Sequence, residues 1–385
     1  MAYFANRTVN LLNLHYGIFA VVLTGGGAFI CVYLLKAGVP LPGVLVSMAA
    51  ILLVRFAIRP FVVGLAVRFG LQRMLIAGSL LIAAQMPIIA EVHGIGRTLL
   101  ALIVVAAIGD AVYWPCYHAY FAALGDDEHR GHQVSMREAI VAVVGIVSPL
   151  ATGWILITFG PRAAFGVSGL ASALATVPLL WTPQVSVLPQ AEGAWKASIP
   201  GIRLFFCDGW IQSGLVFVWQ IALFLSLGES FLNFGGALAI AALVGAIAGL
   251  FLGRHIDEGH GVRAVFFAFT PLALLILFRA ASSGHPALAI AATALSSVGS
   301  CLYMPTMITA VYNLAKQSPC ALRFHVATEG GWDAGGAAGC LVAAALLYSG
   351  VSLSMTLLLP LAGAAASFIL LRRYYAGRGL AMRQE

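Results

Sequence analysis

The sequence predicts an all-α membrane protein of about twelve transmembrane helices, arranged as two pseudo-symmetric six-helix halves. Three observations lead there. First, 61% of the residues are hydrophobic and only 9% are charged, with a mean hydropathy of +0.97. A soluble chain carries roughly a quarter charged residues, so this composition takes lipid as its solvent. Second, about twelve apolar runs reach the roughly 20 residues that a span needs. Third, Ile-Gly-Asp-Ala-Val-Tyr-Trp-Pro at 108–115 returns as Val-Gly-Ser-Cys-Leu-Tyr-Met-Pro at 298–305. Gly109, Tyr113 and Pro115 match Gly299, Tyr303 and Pro305 at one offset (299 − 109 = 190), half of the 385-residue chain.

Taken in order, the first run (roughly 10–35) follows Arg7. It is too long for a signal-peptide core, and no small-residue cleavage site follows it, so it reads as a retained span. Gly25, Gly26 and Gly27 weaken that helix and let it bend. The second run, roughly 42–67, contains Arg55 and Arg59; the third is roughly 73–92; the fourth, roughly 98–123, contains Asp110. The fifth and sixth are roughly 135–158 and 162–181. Thr182–Pro200 contains Pro183, Pro189 and Pro200 and reads as a short cytosolic linker between an N-terminal half (1–181) and a C-terminal half (201–385). Runs seven and eight are roughly 203–227 and 232–254; Gly245, Gly249 and Gly253 recur every four residues on the eighth, a small-residue face for close packing. The remaining runs are roughly 264–282, 286–313, 325–348 and 351–371, before a short basic tail. Five glycines on the eleventh, Gly330, Gly331, Gly335, Gly336 and Gly339, are expected to support bending and close packing.

Loop charges fix the expected orientation. With the N-terminus in the cytosol, 15 lysines and arginines fall on the cytosolic side, four (Lys36, Arg97, Arg162, Arg279) outside, and two within a span. This asymmetry puts both termini in the cytosol. Arginine outnumbers lysine 18 to 3, which fits a bacterial inner (plasma) membrane and a GC-rich genome. The basic residues form no cluster that would grip phosphates, so nucleic acid is not an expected partner. The six cysteines lack metal-ligand spacing and read as small buried hydrophobes. No metal or cofactor is expected.

Two six-span halves joined by a short middle loop resemble the major facilitator superfamily over essentially the whole chain. Gly253-Arg254-His255-Ile256-Asp257, then Gly259, Gly261 and Arg263, is similar to the family's loop motif between its second and third spans. The first-half counterpart keeps Arg68, Gly70 and Arg73 but has Val67 at the aspartate position. Ser148-Pro149-Leu150-Ala151-Thr152-Gly153 is a degenerate form of the fifth-span run of the family's antiporters. The resemblance implies a secondary transporter working by alternating access, usually as a monomer. It also implies a cavity lined by spans one, four, seven and ten, and contact between spans two and eleven across the halves.

A charge at the bilayer centre costs at least about 2.5–3.5 kcal/mol, so intramembrane charges face protein or a wet cavity. Arg55 and Asp110 each lie about 13 residues from the cytosolic end of their spans and are the expected buried pair. Tyr113, Trp114 and Tyr117 follow Asp110 at helical spacing, with His118 beyond. This aromatic face is the leading substrate-site candidate, together with Arg55, Gln212, Trp219 and Tyr303. The alternative is that the rings pack and Asp110 only neutralises Arg55. On the eleventh span His325, Glu329, Trp332, Asp333 and Gly336 share a face. Asp333 is as deep as Arg59, so Arg59 with Asp333 or Glu329, and Asp257 in its loop, are the expected cytosolic gate. Alternatively these acids cap and solvate the start of that helix. Asp110, Asp208, Glu329 and Asp333 are the candidates for proton coupling, protons being the expected coupling ion. His15 near the start of the first span reads as interfacial, and Arg137 as a partner for Asp126, Asp127 or Glu128.

Three functions compete at this stage. One is proton-coupled export of a small organic compound. The alternative is proton-coupled uptake of an anionic metabolite read by Arg55 and Arg59, which would require Arg55 to be unsatisfied by Asp110. A membrane sensor or an intramembrane enzyme is the third. Catalysis needs a nucleophile–base set or metal ligands, and His15, His118 and His325 sit on three spans without a supporting motif, so the chain is not expected to be an enzyme.

Overall fold

The computed structural model describes residues 6–125, 130–256 and 261–381. Among them are twelve helices of spanning length and apolarity, and no strand. They are α1 (Arg7–Lys36), α2 (Leu41–Phe69), α3 (Leu71–Ala90), α4 (Arg97–Leu124), α5 (Met136–Thr158) and α6 (Pro161–Leu179), then α7 (Ala194–Ser226), α8 (Phe231–Gly249), α9 (Val262–Ser282), α10 (Pro286–Lys316), α11 (Ala321–Tyr348) and α12 (Leu353–Gly377). Phe61, Leu100, Phe267 and Leu274 stay exposed on the outer faces, as lipid contact requires.

The packing repeats with the sequence. Helix α1 lies on α5 and α6, α2 on α4, and α3 on α4 and α6; correspondingly α7 lies on α11 and α12, α8 on α10, and α9 on α10 and α12. Contacts of α2 with α11, and of α5 with α8, join the two sets. The repeated motif is explained by contacts within each set. A Cβ on Gly109 would sit 3.2 Å from the Ile82 backbone nitrogen of α3, and one on Gly299 would run into Leu275 of α9. Tyr113 and Tyr303, four residues on, each bond to the first helix of their own set: Tyr113 Oη is 3.0 Å from His15 Nε2, and Tyr303 donates to Asp208.

Glycine does two separate jobs. In α1 the glycine run lies in a π-helical segment, Val22–Gly27, and α7 has another, Ser213–Val218, at nearly the repeat spacing. On α11, Gly331, Gly335 and Gly339 let α7 in. A Cβ on Gly335 would collide with the Phe206 carbonyl, and one on Gly209 of α7 with the Trp332 carbonyl. A second close seam joins α5 to α8, where a Cβ on Gly153 would lie 2.5 Å from the Phe231 carbonyl oxygen and one on Gly235 would collide with the Pro149 carbonyl. A Cβ on Gly245 would lie 3.0 Å from Ser297 Cβ of α10, whereas one on Gly249 meets open space.

Helix α7 begins at Ala194, inside the stretch expected as linker, because Lys196, Ser198 and Arg203 hide its first turns from a hydropathy reading. The rest of that stretch is tied down at both ends. Leu71 N–H donates to Val185 O (2.9 Å) and Gln72 N–H to Gln184 Oε1 (2.9 Å). Gly70, at φ +77°, must be glycine there, since a Cβ would meet Gln184 at 2.5 Å. Arg323 of α11 donates to Leu188 O (3.0 Å) and Pro189 O (2.6 Å).

Candidate functional site

Five charged side chains from α2, α4 and α11 meet inside the bundle. Asp333, fully buried, accepts from both Arg55 and Arg59. Arg55 Nη1 reaches Asp110 Oδ2 at 3.5 Å, and Arg59 Nη2 reaches Glu329 Oε2 at 3.3 Å. The two arginine side chains are 6% and 2% exposed. The expected Arg55–Asp110 pair is therefore the weaker half of a network, and Asp333 is its centre. Depth along a helix set the right level, but it carries no information on helix rotation, and rotation points Asp333 between two arginines one turn apart. Arg59 Nη1 is buried without a hydrogen-bond partner among the described residues.

Beside this network lies a cavity of about 320 Å³. Arg55, Trp114, Asp208, Glu329 and Trp332 line it, with His118 and His325 on its wall. His118 of α4 stacks on His325 of α11 (ring centroids 5.5 Å apart), and its Nε2 lies 3.9 Å from Glu329 Oε1. Arg55 sits 5.1 Å from the ring centre of Trp332. A shallower hollow of about 480 Å³ between α3 and α4, walled by Pro87, Glu91, Arg97 and Ala101, contains none of the buried charges.

Several expected substrate contacts lie elsewhere. Tyr113 is fully buried, stacked on Phe19 at 4.2 Å and bonded to His15, whose Nδ1–H donates to Ala175 O (2.7 Å). His15 is thus an interior joint between α1, α4 and α6, not an interfacial residue. Tyr117 is 1% exposed, stacked on Tyr16 at 4.7 Å, and accepts from Arg137 Nη1 (3.3 Å). Arg137 also pairs with Glu138 at 2.6 Å, while Asp126, Asp127 and Glu128 lie outside the described residues, as does the gate candidate Asp257. Trp219 is buried against Arg279 (4.8 Å) and donates to Thr293 Oγ1 (3.2 Å), away from the cavity. Gln212 and Tyr303 do not line the cavity; both bond to Asp208, which also accepts from Trp332 Nε1 (3.0 Å). Helical spacing put these residues on the right helices. It could not show that a tyrosine one step around the helix faces its own half.

Arg279 departs furthest from expectation. Placed in an outer loop by charge counting, it is 8% exposed and donates to Leu215 O (2.8 Å) within the π-helical segment of α7. A π turn shifts the backbone hydrogen-bond pattern, and a buried guanidinium is a natural donor to such a carbonyl. Its position in the last turn of α9, an end that a hydropathy reading assigns to water, concealed this role.

Ion pairs thus bridge α2 and α11 beside a cavity lined by residues of α2, α4, α7, α10 and α11. Solved structures share the twelve-helix fold. The POT family transporter PepTSo, determined in meso, aligns with a TM-score of 0.70 at 13% identity over 98% of this chain and 99% of that one. A POT family transporter in complex with 5-aminolevulinic acid gives 0.72 at 12% over 95% and 96%, and an auto-inhibited POT family peptide transporter gives 0.66 at 15% over 97% of both. At these identities the likeness is one of fold. No curated protein sequence matches the chain. Residues 17–318, however, match the family model of the Major Facilitator Superfamily, and with the twelve-helix fold this establishes that the chain belongs to that superfamily, a family of transporters and not of enzymes.

Proposed function

We propose that this protein is a proton-coupled secondary transporter that exports a small organic compound by alternating access. The observation that carries the reading is the engagement of both intramembrane arginines by carboxylates of α4 and α11 beside the cavity. Paired in charge in this way, Arg55 and Arg59 leave no uncompensated positive charge for an anion, although Arg59 Nη1 keeps an unused donor. Three carboxylates against two guanidiniums leave the network one proton short of neutrality, and that proton is the natural currency of coupling. Protonation of Glu329 loosens the hold of α11 on Arg59 of α2, and protonation of Asp110 the hold of α4 on Arg55; separation of α2 from α11 also requires Asp333 to release the two arginines. In this role Arg59, Asp333 and Glu329 form the gate. We further propose that the halves, 1–181 and 201–385 with residues 182–200 between them, move as units in a bacterial inner membrane, with both termini cytosolic and the chain acting as a monomer.

The test uses proteoliposomes loaded with a pH-sensitive dye. An outward gradient of the right compound should drive counterflow of protons, and Asp333→Asn and Glu329→Gln should abolish it. Substrate movement that ignores a pH gradient would remove proton coupling. One observation favours the second reading, uptake of an anionic metabolite: Arg55 lines the cavity wall. Proton influx driven by a carboxylate or phosphate compound, and lost in Arg55→Gln, would select it.

A further inference from the structure

We propose that Asp208 is the docking carboxylate for an organic cation, and that the aromatic wall around it receives the cation's apolar body. The proposal rests on the transporter reading above and names its substrate class. Asp208 lines the same cavity as the charge network but takes no part in it. It is 4% exposed, and its three partners, Tyr303 Oη, Gln212 Nε2 (3.3 Å) and Trp332 Nε1 (3.0 Å), are neutral donors. No lysine or arginine among the described residues lies within 4 Å of it, whereas Arg55 and Arg59 are both held by the other acids.

The donors come from three helices, α7, α10 and α11, and fix the carboxylate without balancing its charge. A carboxylate offers roughly four acceptor positions, so one remains for a ligand. An ionised carboxylate without a counter-ion is costly in a desolvated site, and a cation entering the cavity removes that cost. An anion would meet Asp208 and the excess acid of the network together.

The walls agree with the charge. Trp114 and Trp332 face the cavity with Phe205, and Met304 and Met307 add polarizable sulfur. Indole faces attract cations within about 6 Å, and Arg55 over Trp332 at 5.1 Å already shows that interaction in this chamber. A volume of about 320 Å³ admits one small molecule.

The probe is benzyltrimethylammonium, a permanently charged, membrane-impermeant aromatic cation, with 3-phenylpropionate as the anion of similar bulk. Equilibrium dialysis of purified protein with labelled benzyltrimethylammonium should show saturable binding that 3-phenylpropionate does not displace. Binding should weaken at least about tenfold in Asp208→Asn, the loss expected when a charged partner is removed from a desolvated pair. Trp332→Phe leaves the carboxylate in place and should weaken binding by a smaller factor, so the proposal stays testable if the first variant misfolds. Absence of saturable binding, unchanged affinity in Asp208→Asn, or equal displacement by 3-phenylpropionate would each overturn it. The dye-loaded liposomes separate this failure from failure of the transporter reading: proton flux driven by 3-phenylpropionate would keep the transporter and refute the cation site.

Discussion

Asp333 holds the two intramembrane arginines together. It is fully buried and engages two arginines, while Asp110 makes one contact of 3.5 Å and its side chain is 28% exposed. Removing one partner of a buried pair leaves an uncompensated charge, at about 3–5 kcal/mol. Asp333→Asn should therefore lower the thermal unfolding temperature in detergent far more than Asp110→Asn. Adding Arg59→Gln to Asp333→Asn should recover part of the loss, and additive effects would show that the two are not coupled. Tyr113→Phe removes only its hydrogen bond to His15 and should cost roughly 0.5–1.5 kcal/mol in the same assay, with cation binding unchanged. The residue scale is also where the sequence was least legible. Arg55, Arg59, Asp110, Glu329 and Asp333 stood out because charges are rare in apolar runs, and counting depth put them at matching levels. Their partners depend on helix rotation and tilt, which a linear count does not contain. Arg279, near a span end, is counted with the outside charges because a linear count does not show which neighbour a helix end meets.

Among the helices, the closest seams are built from glycine, and they make a graded set of predictions. A Cβ at Gly335 collides with backbone of α7, whereas one at Gly330 finds Phe56 at an ordinary 3.6 Å. Overpacking typically costs about 1–3 kcal/mol, and more where the neighbour is backbone and cannot turn aside. Gly335→Ala should thus reduce the yield and melting temperature of folded protein, while Gly330→Ala should leave both near wild type. Equal behaviour of the two would mean that α7 and α11 are not seated as described. Gly153 and Gly235 make the α5–α8 seam reciprocal, so alanine at either should weaken the same contact. Spacing in sequence gave partial warning of these seams. A four-residue glycine interval is visible on both α8 and α11, but only the neighbour decides its use, and Gly249 has none within 4 Å. The repeat was fully visible as a pattern, yet its meaning was packing: Gly109 and Gly299 admit a neighbouring helix, and Tyr113 and Tyr303 bond inward.

For the whole molecule, the twelve runs follow from composition and hydropathy, because lipid leaves the backbone few alternatives to complete helices, while the superfamily is reached through the resemblance carried by the loop motifs and is shown by the family model. What periodicity leaves open is how the halves meet at the end away from the linker. There Lys36, closing α1, reaches Glu229, between α7 and α8, at 3.0 Å. Among the described residues, Glu229 is the one non-glycine residue with a left-handed backbone, at φ +57°. Such a conformation costs of order 1–3 kcal/mol, and an exposed ion pair returns at most about 1 kcal/mol, so the loop is held by more than this contact. Breaking the pair should accordingly leave stability almost unchanged but shift the balance between closed and open states, by up to about fivefold for 1 kcal/mol. Spin labels on Lys36→Cys and Glu229→Cys, in a background lacking the six native cysteines, report this directly without a known substrate. Electron–electron distance measurements should give a short population, matching the contact seen here, and a longer one whose share changes with pH as the α2–α11 network gains or loses a proton. A single short distance at every pH would mean that this end does not open. Alternating access through this end would then fail.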